Sequence, residues 1–243
     1  FSARQSFFGP TRNPWNLKMH VGASSAGSGS AVMAGLCHGS LGTDTGGSIR
    51  VPSSMCGIVG IKPTYGRVSR FGVYPLSWSL DHLGPMTRRV ADAAIMLEVL
   101  AGRDEKDPSS SSEPVPRYTD NLKDGIEGLS IGVPSDPYFQ VLDEDVEKSF
   151  NSSLRVMENL GARVEDISFP SAESANAVGS TVMGSEASSV HEMNLSKRAR
   201  DYDPGLRNRL ITGSLITAQA YLKSLRLRKV LRKEVSSILK RLD

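Results

Sequence analysis

The sequence predicts an α/β fold with a mixed, mostly parallel central sheet covered by helices on both faces, and three observations carry that reading. From Leu129 onward, short strand-like runs alternate with amphipathic helical segments, the grammar of a βαβ unit. Residues 22–60 are rich in Gly and Ser, yet Ala31, Val32, Met33, Ala34, Leu36, Ile49, Val51 and Ile58 are set among them. A solvated linker has no reason to carry these apolar residues, so the stretch reads as buried, closely packed backbone. Finally, 243 residues with 39% apolar, 23% charged and 6% aromatic content can bury a core. That composition excludes collagen-like, disordered and disulfide-scaffold classes.

Taken in order, the small residues from Ser28 to Leu36 suit a helix packed closely on its neighbours, and Ile58 to Ile61 before Lys62-Pro63 reads as a short buried strand. Val90 to Leu100 places Val90, Ala93, Ala94, Leu97 and Leu100 on one face, with Gly102 as a stop. The loop from Arg103 to Pro116 has serines at 109–112 and prolines at 108, 114 and 116, and is expected to be an exposed connector. Leu129 to Val133 is a strand. Asp143 to Leu160 is a helix with Val146, Phe150, Leu154 and Met157 aligned, and Arg163 to Phe169 is a second strand. After Ser171 the signals are helical, with a break near Asp203-Pro204-Gly205 and a last helix from about Thr217.

Twenty-nine Lys and Arg against 26 Asp and Glu leave a formal charge of +3, too near balance to argue for a nucleic-acid or membrane partner. The tail from Lys223 to Arg241 is basic, but Leu222, Leu225, Leu231, Val235, Ile238 and Leu242 share a helical spacing, so it reads as an amphipathic helix with a solvated basic face. Cys37 and Cys56 form neither a disulfide framework nor a metal-ligand pattern, which points to a reducing, cytoplasmic setting. No run is long enough to span a membrane, and Phe1 to Arg12 lack the apolar block of a signal peptide. A start at Phe1 and a stop in a charged helical pattern lead us to expect a piece of a longer polypeptide, incomplete at both ends.

The chemistry concentrates in Gly22-Ala23-Ser24-Ser25-Ala26-Gly27-Ser28 and, after a helix-sized gap, Gly42-Thr43-Asp44-Thr45-Gly46-Gly47-Ser48-Ile49-Arg50. Successive Thr45, Gly46, Gly47 and Ser48 can turn their N–H groups toward one point, a nest suited to an oxyanion. A hydroxyl on Ser48 then stands where a nucleophile belongs if those donors are to receive the charge of an attacked carbonyl. A serine needs a base, yet His20, His38, His82 and His191 read as structural or surface residues rather than as that base.

These segments, followed by Cys56-Gly57, Gly60-Ile61-Lys62-Pro63-Thr64-Tyr65-Gly66-Arg67-Val68-Ser69 and Ser79-Leu80-Asp81-His82-Leu83-Gly84-Pro85, closely resemble the amidase signature family. The resemblance also takes in Phe8-Gly9-Pro10-Thr11-Arg12-Asn13-Pro14-Trp15 and the helix containing Asp92. It covers about residues 7–108 strongly, becomes general over 129–243, and implies one partial amidase signature domain across 1–243. It implies hydrolysis of a carboxylic amide to acid and ammonia or amine through an acyl-serine, by a Ser-Ser-Lys triad. Ser48 matches the nucleophile and Ser24 the bridging serine, with the N–H groups of Thr45, Gly46, Gly47 and Ser48 as the oxyanion hole. The family's lysine lies upstream of the glycine-serine motif, on a segment outside this sequence, and neither Lys18 nor Lys62 matches it. Ala23 and Ala26 stand where the family commonly has glycine, which removes no hydroxyl or N–H.

Asp44 and Arg50 flank the loop and are expected to pair and brace it, while Ser25 is placed to cap the following helix. No cofactor or metal is implied. Three readings follow: a free-standing amidase acting on a small or aryl amide; the glutaminase component of glutamyl-tRNA amidotransferase (its A chain), working with the other amidotransferase subunits; and a silent scaffold with the same fold. Apolar surface left by truncation invites association, in the simplest case a homodimer.

Overall fold

A computed structural model describes residues 8–243; residues 1–7, part of the segment read above as free of a leader block, lie outside the described residues. The chain divides into two compact units. The first runs to Leu122 and resumes over Met183–Ile216; the second comprises Lys123–Val182 and Thr217–Asp243. Among the described residues no helix is long and apolar enough to cross a membrane.

The first unit is built on strands β1 (Gly39–Asp44), β2 (Val59–Gly60) and β3 (His82–Thr87), in the order β1-β3-β2. Helices α1 (Ala26–Met33), α2 (Arg50–Cys56) and α3 (Val90–Leu100) belong to the same unit. Helix α1 packs on β1, β3 and α2, and α3 packs on β3 and β2. Both strand pairs here are antiparallel. The α/β class is the one the sequence predicts, and the parallel pairing expected to predominate occurs in the second unit. The reason lies in the connection: β1 and β2 share a direction, joined through α2, and β3 inserts between them running the other way.

Strand β3 has no clear signature in the sequence because it contains Gly84-Pro85, and proline is normally excluded from a central strand. Here Pro85 lies opposite Leu41, and its carbonyl accepts the Ile61 N–H at 3.1 Å. Gly84 is needed for that approach, since a Cβ on it would lie 1.9 Å from the Ile61 carbonyl oxygen. Val68, Leu83 and Leu97 form the apolar cluster beneath, with Ile61, Val73, Leu100 and Tyr118 packed around it. The loop from Arg103 to Pro116 is largely exposed, as expected of a connector, but it turns two polar residues inward. Asp107 and Ser110 are 6% and 5% exposed, because Asp107 accepts the Arg70 N–H at 2.8 Å and Ser110 closes hydrogen bonds back onto Asp104 and Asp107.

In the second unit β4 (Ser130–Pro134) and β5 (Arg163–Ile167) pair in parallel, with Ser130 opposite Arg163 and Pro134 opposite Ile167. Helix α4 (Glu144–Asn159) makes the crossover and packs on β5, the predicted βαβ unit. Its start is set by Asp143, whose carboxylate accepts the Asp145 N–H at 3.1 Å, and by Glu144, Asp145 and Glu147 in the first turn, where negative charge complements the helix dipole. Helix α5 (Ala172–Arg198) contains the division between the units, at Val182. Helix α6 (Pro204–Ser214) belongs to the first unit and α7 (Ala218–Ile238) to the second, each beginning where the sequence breaks at Asp203-Pro204 and Thr217. Asp203 and Thr217 cap them, accepting from the Leu206 and Ala220 N–H groups.

Candidate active site

Both residues singled out as catalytic lie on loops of the first unit. Ser24 sits in the turn entering α1 and Ser48 in the turn from β1 into α2. Gly22 adopts φ +80° and faces α2 so closely that a Cβ would lie 2.8 Å from the Pro52 nitrogen. Only glycine meets both demands. Gly22→Ala is therefore expected to cost about 3 kcal/mol of stability, from left-handed strain together with a clash against backbone, read as a lowered denaturant midpoint.

The loop from Asp44 to Arg50 is organised by a single carboxylate. Asp44 is fully buried and accepts hydrogen bonds from the Gly47 N–H at 2.7 Å, the Ile49 N–H at 3.2 Å and the Arg50 N–H at 3.4 Å. The Arg50 guanidinium closes on it in a bidentate pair, Nε and Nη2 each at 3.0 Å. The expected Asp44–Arg50 pair is thus present, and its outer member remains half in solvent. Burial alone pushes the Asp44 carboxyl up, but the Arg50 guanidinium and the Gly47 and Ile49 N–H groups more than reverse this and hold it below its ordinary range. The same hydrogen bond raises the pKa of Arg50. One expectation changes here: the Gly47 N–H, grouped above with those of Thr45, Gly46 and Ser48, is turned inward onto Asp44 and is committed within the loop.

Ser25 joins the two loops. Its N–H donates to the Ser48 carbonyl at 3.2 Å, and its hydroxyl accepts the Thr43 N–H at 3.1 Å while donating to the Thr43 carbonyl at 3.2 Å. Ser25 was expected to cap α1, and it does occupy the N-cap position. Its side chain makes no capping bond, because the edge of β1 takes the hydroxyl instead. Ser24, beside it, is exposed and follows a cis Ala23–Ser24 peptide.

A cavity of about 610 Å³ opens beside Ser24. Ser24, Thr43 and Thr45 line one part of it, and Tyr74, Trp78 and His191 line another. Ser48 is half-buried and is not among its lining residues. The Thr45 hydroxyl donates to Asp81 at 2.5 Å, and Asp81 also accepts the Leu76 and Ser77 N–H groups at 2.8 and 2.9 Å. The loop from Asp44 to Arg50 is therefore tied to the loop that supplies the aromatic wall.

His82 and His191 both make contacts that fix them in the fold. His82 Nδ1 faces the Leu80 carbonyl at 2.6 Å and the Asp44 carbonyl at 3.2 Å, two acceptors that fix the proton on Nδ1. Burial, reinforced by the charge of Lys62, lowers its pKa. His191 bonds the Tyr202 hydroxyl at 2.8 Å and faces the Tyr74 ring with centroids 5.4 Å apart, and it also lines the cavity. Sequence reading also passed over the settings of Lys62 and Glu186. Burial and the neighbouring Arg50 push the pKa of Lys62 down, against the pull of Asp44. Glu186, 1% exposed, is buried on α5, and the only signal for it was a lone carboxylate among small residues, Gly184-Ser185-Glu186-Ala187-Ser188.

A family model described as Amidase matches residues 1–243. The chain belongs to the amidase family. It is 50% identical over 188 residues to the A chain of the glutamyl-tRNA(Gln) amidotransferase of Trichlorobacter lovleyi, a match covering 77% of this chain and 39% of that one. Among solved structures it is similar, at a TM-score of 0.94 and 36% identity, to a chain of a vestigial protein complex that reveals the origins of an s-triazine catabolic enzyme; the match covers all of this chain and 52% of that one. A structure described as an amidase matches at a TM-score of 0.87 and 36% identity, over 99% of this chain and 52% of that chain. Against such relatives this family member spans about half their length or less.

Proposed function

We propose that this chain carries the serine pair of an amidase that hydrolyses a carboxylic amide through an acyl-Ser48 intermediate. The observation that supports it most is the joining of the two serine-bearing loops by Ser25, the second of them braced by Asp44 and lining the cavity through Thr45. Ser48 Oγ attacks the amide carbon as its proton passes to Ser24 and on to a lysine contributed from outside these 243 residues. The carbonyl oxygen becomes an oxyanion and is received by the N–H groups of Thr45, Gly46 and Ser48, the Gly47 N–H being engaged with Asp44. Collapse of the tetrahedral species breaks the C–N bond, and the proton returns through Ser24 to the leaving nitrogen. Water then adds to the acyl carbon, giving up its proton by the same route, and the acid leaves as Ser48 recovers its hydroxyl.

Ser24→Ala is expected to lower turnover by about 10²- to 10³-fold, the range of a lost proton relay, with stability unchanged since Ser24 is exposed. The reading is tested by ammonia release from the full-length protein on glutamine, an aliphatic amide and an aryl amide, with Ser48→Ala as control. Release that depends on Ser48 supports it; release of equal size from the control overturns it. A second reading, supply of ammonia from glutamine as the A chain of an amidotransferase, is favoured by the 50% identity to such a chain. Turnover confined to glutamine would select it.

A further inference from the structure

We propose that Glu186 is a positioning residue for this site, acting through the loop from Tyr74 to Asp81; its effect on turnover rests on the reading of Ser48 and Thr45 above, while its effect on the loop does not. Glu186 Oε2 accepts the Ser77 hydroxyl at 2.6 Å and the Ser79 N–H at 3.0 Å, and Oε1 accepts the Ser79 hydroxyl at 2.7 Å. A carboxylate so deeply buried is tolerated only where donors converge on it, and here three come from two residues of one short loop. The helix thereby fixes the loop.

The same loop is held again by its own end. Asp81 accepts the Leu76 and Ser77 N–H groups on one oxygen and the Thr45 hydroxyl on the other. Ser77, fully buried, is common to both anchors, since its hydroxyl goes to Glu186 and its N–H to Asp81. Contacts therefore run without a gap from α5 through Glu186, Ser77 and Asp81 to Thr45, the first residue of the oxyanion loop. Along the way the loop presents Tyr74 and Trp78 to the cavity, and the Tyr65 hydroxyl steadies the second by donating to the Trp78 carbonyl at 2.7 Å. Glu186, outside the lining of the cavity, in this way sets both an aromatic wall and an oxyanion donor.

The test is hydrogen exchange and kinetics on full-length Glu186→Ala and Glu186→Gln. In Glu186→Ala, amide exchange is expected to rise about tenfold or more over residues 74–81 and also over 44–48, while β4 and β5 keep wild-type protection. Glu186→Gln, whose amide oxygen still accepts the Ser79 N–H, falls between Ala and wild type. On the amide that wild type turns over best, kcat is expected to fall about tenfold in Glu186→Ala, and adding Thr45→Val costs less there than in wild type because both act on one chain of contacts. Faster exchange that stops short of 44–48, or fully multiplicative effects of the two substitutions, overturns the proposal. If Glu186→Ala does not fold, Ser77→Ala removes the shared hydroxyl and is judged by the same outcomes. A wild-type protein that turns over no amide would count against the function proposed above, and the exchange measurement would still decide the role of Glu186.

Discussion

Replacing Ser48 with alanine is expected to reduce amide turnover of the full-length protein by about 10⁴-fold or more, the scale at which loss of a nucleophile leaves only binding and oxyanion stabilisation. The fold is expected to persist, because the backbone groups of residue 48 make the structural contact: its carbonyl accepts the Ser25 N–H at 3.2 Å, and alanine keeps that carbonyl. Two measurements check this. Ammonia release should drop to background at an unchanged melting temperature, and intact mass should reveal an acyl adduct on wild type, after rapid quench with a slow amide, that is missing from the variant. Normal turnover in Ser48→Ala would transfer the nucleophile's role to another residue.

Asp44→Asn is expected to be the most damaging substitution that touches no reacting atom. The carboxylate receives three N–H groups and both arms of Arg50, and an amide of the same size can offer only one oxygen while turning an NH₂ toward the remaining donors. Arg50 is half exposed, so much of the loss comes from the buried N–H groups rather than from the ion pair. A cost of about 3 kcal/mol is expected, with turnover down at least roughly 100-fold as residues 45–48 lose their fixed geometry. The effect should depend on pH in a defined sense. Asp44 is held below its ordinary value in the folded chain, so its ionised form stabilises the fold above about pH 4 and this contribution drains away as pH falls through the depressed value. The stability gap between wild type and Asp44→Asn, from urea midpoints, should be full near neutrality and close below about pH 4. A gap that stays constant into acid would mean that the charge of Asp44 is not what holds the loop.

Legibility in the sequence followed distance along the chain. The brace between Asp44 and Arg50 spans six residues, and the glycines between them advertise a tight loop, so its form was readable. The βαβ unit of β4, α4 and β5 was readable too, because a strand period, a helix period and an aspartate cap stand in a row. What escaped depends on partners brought from far away. Ser77 and Glu186 are 109 positions apart, and neither announces the other. His191 reaches the cavity wall only because α5 passes beside Tyr74. Strand β3 was hidden by Gly84-Pro85, whose use in a central strand depends on the carbonyl of Ile61 needing the space that glycine leaves. Ser25 shows the opposite failure, a correct position with the wrong bond, since its hydroxyl is taken by Thr43 of β1 rather than by the helix.

That bond sorts two chemically identical neighbours. Ser25 spends both sides of its hydroxyl on Thr43, whereas Ser24 faces the open cavity. The pair is consequently no reserve of spare parts: with Ser24→Ala, a second serine remains only about 3.8 Å away along the chain, Cα to Cα, but its hydroxyl is already employed as scaffolding. Of the two serines, Ser25 is thus a fastener, and it cannot take over any duty of Ser24 without first unpinning the strand.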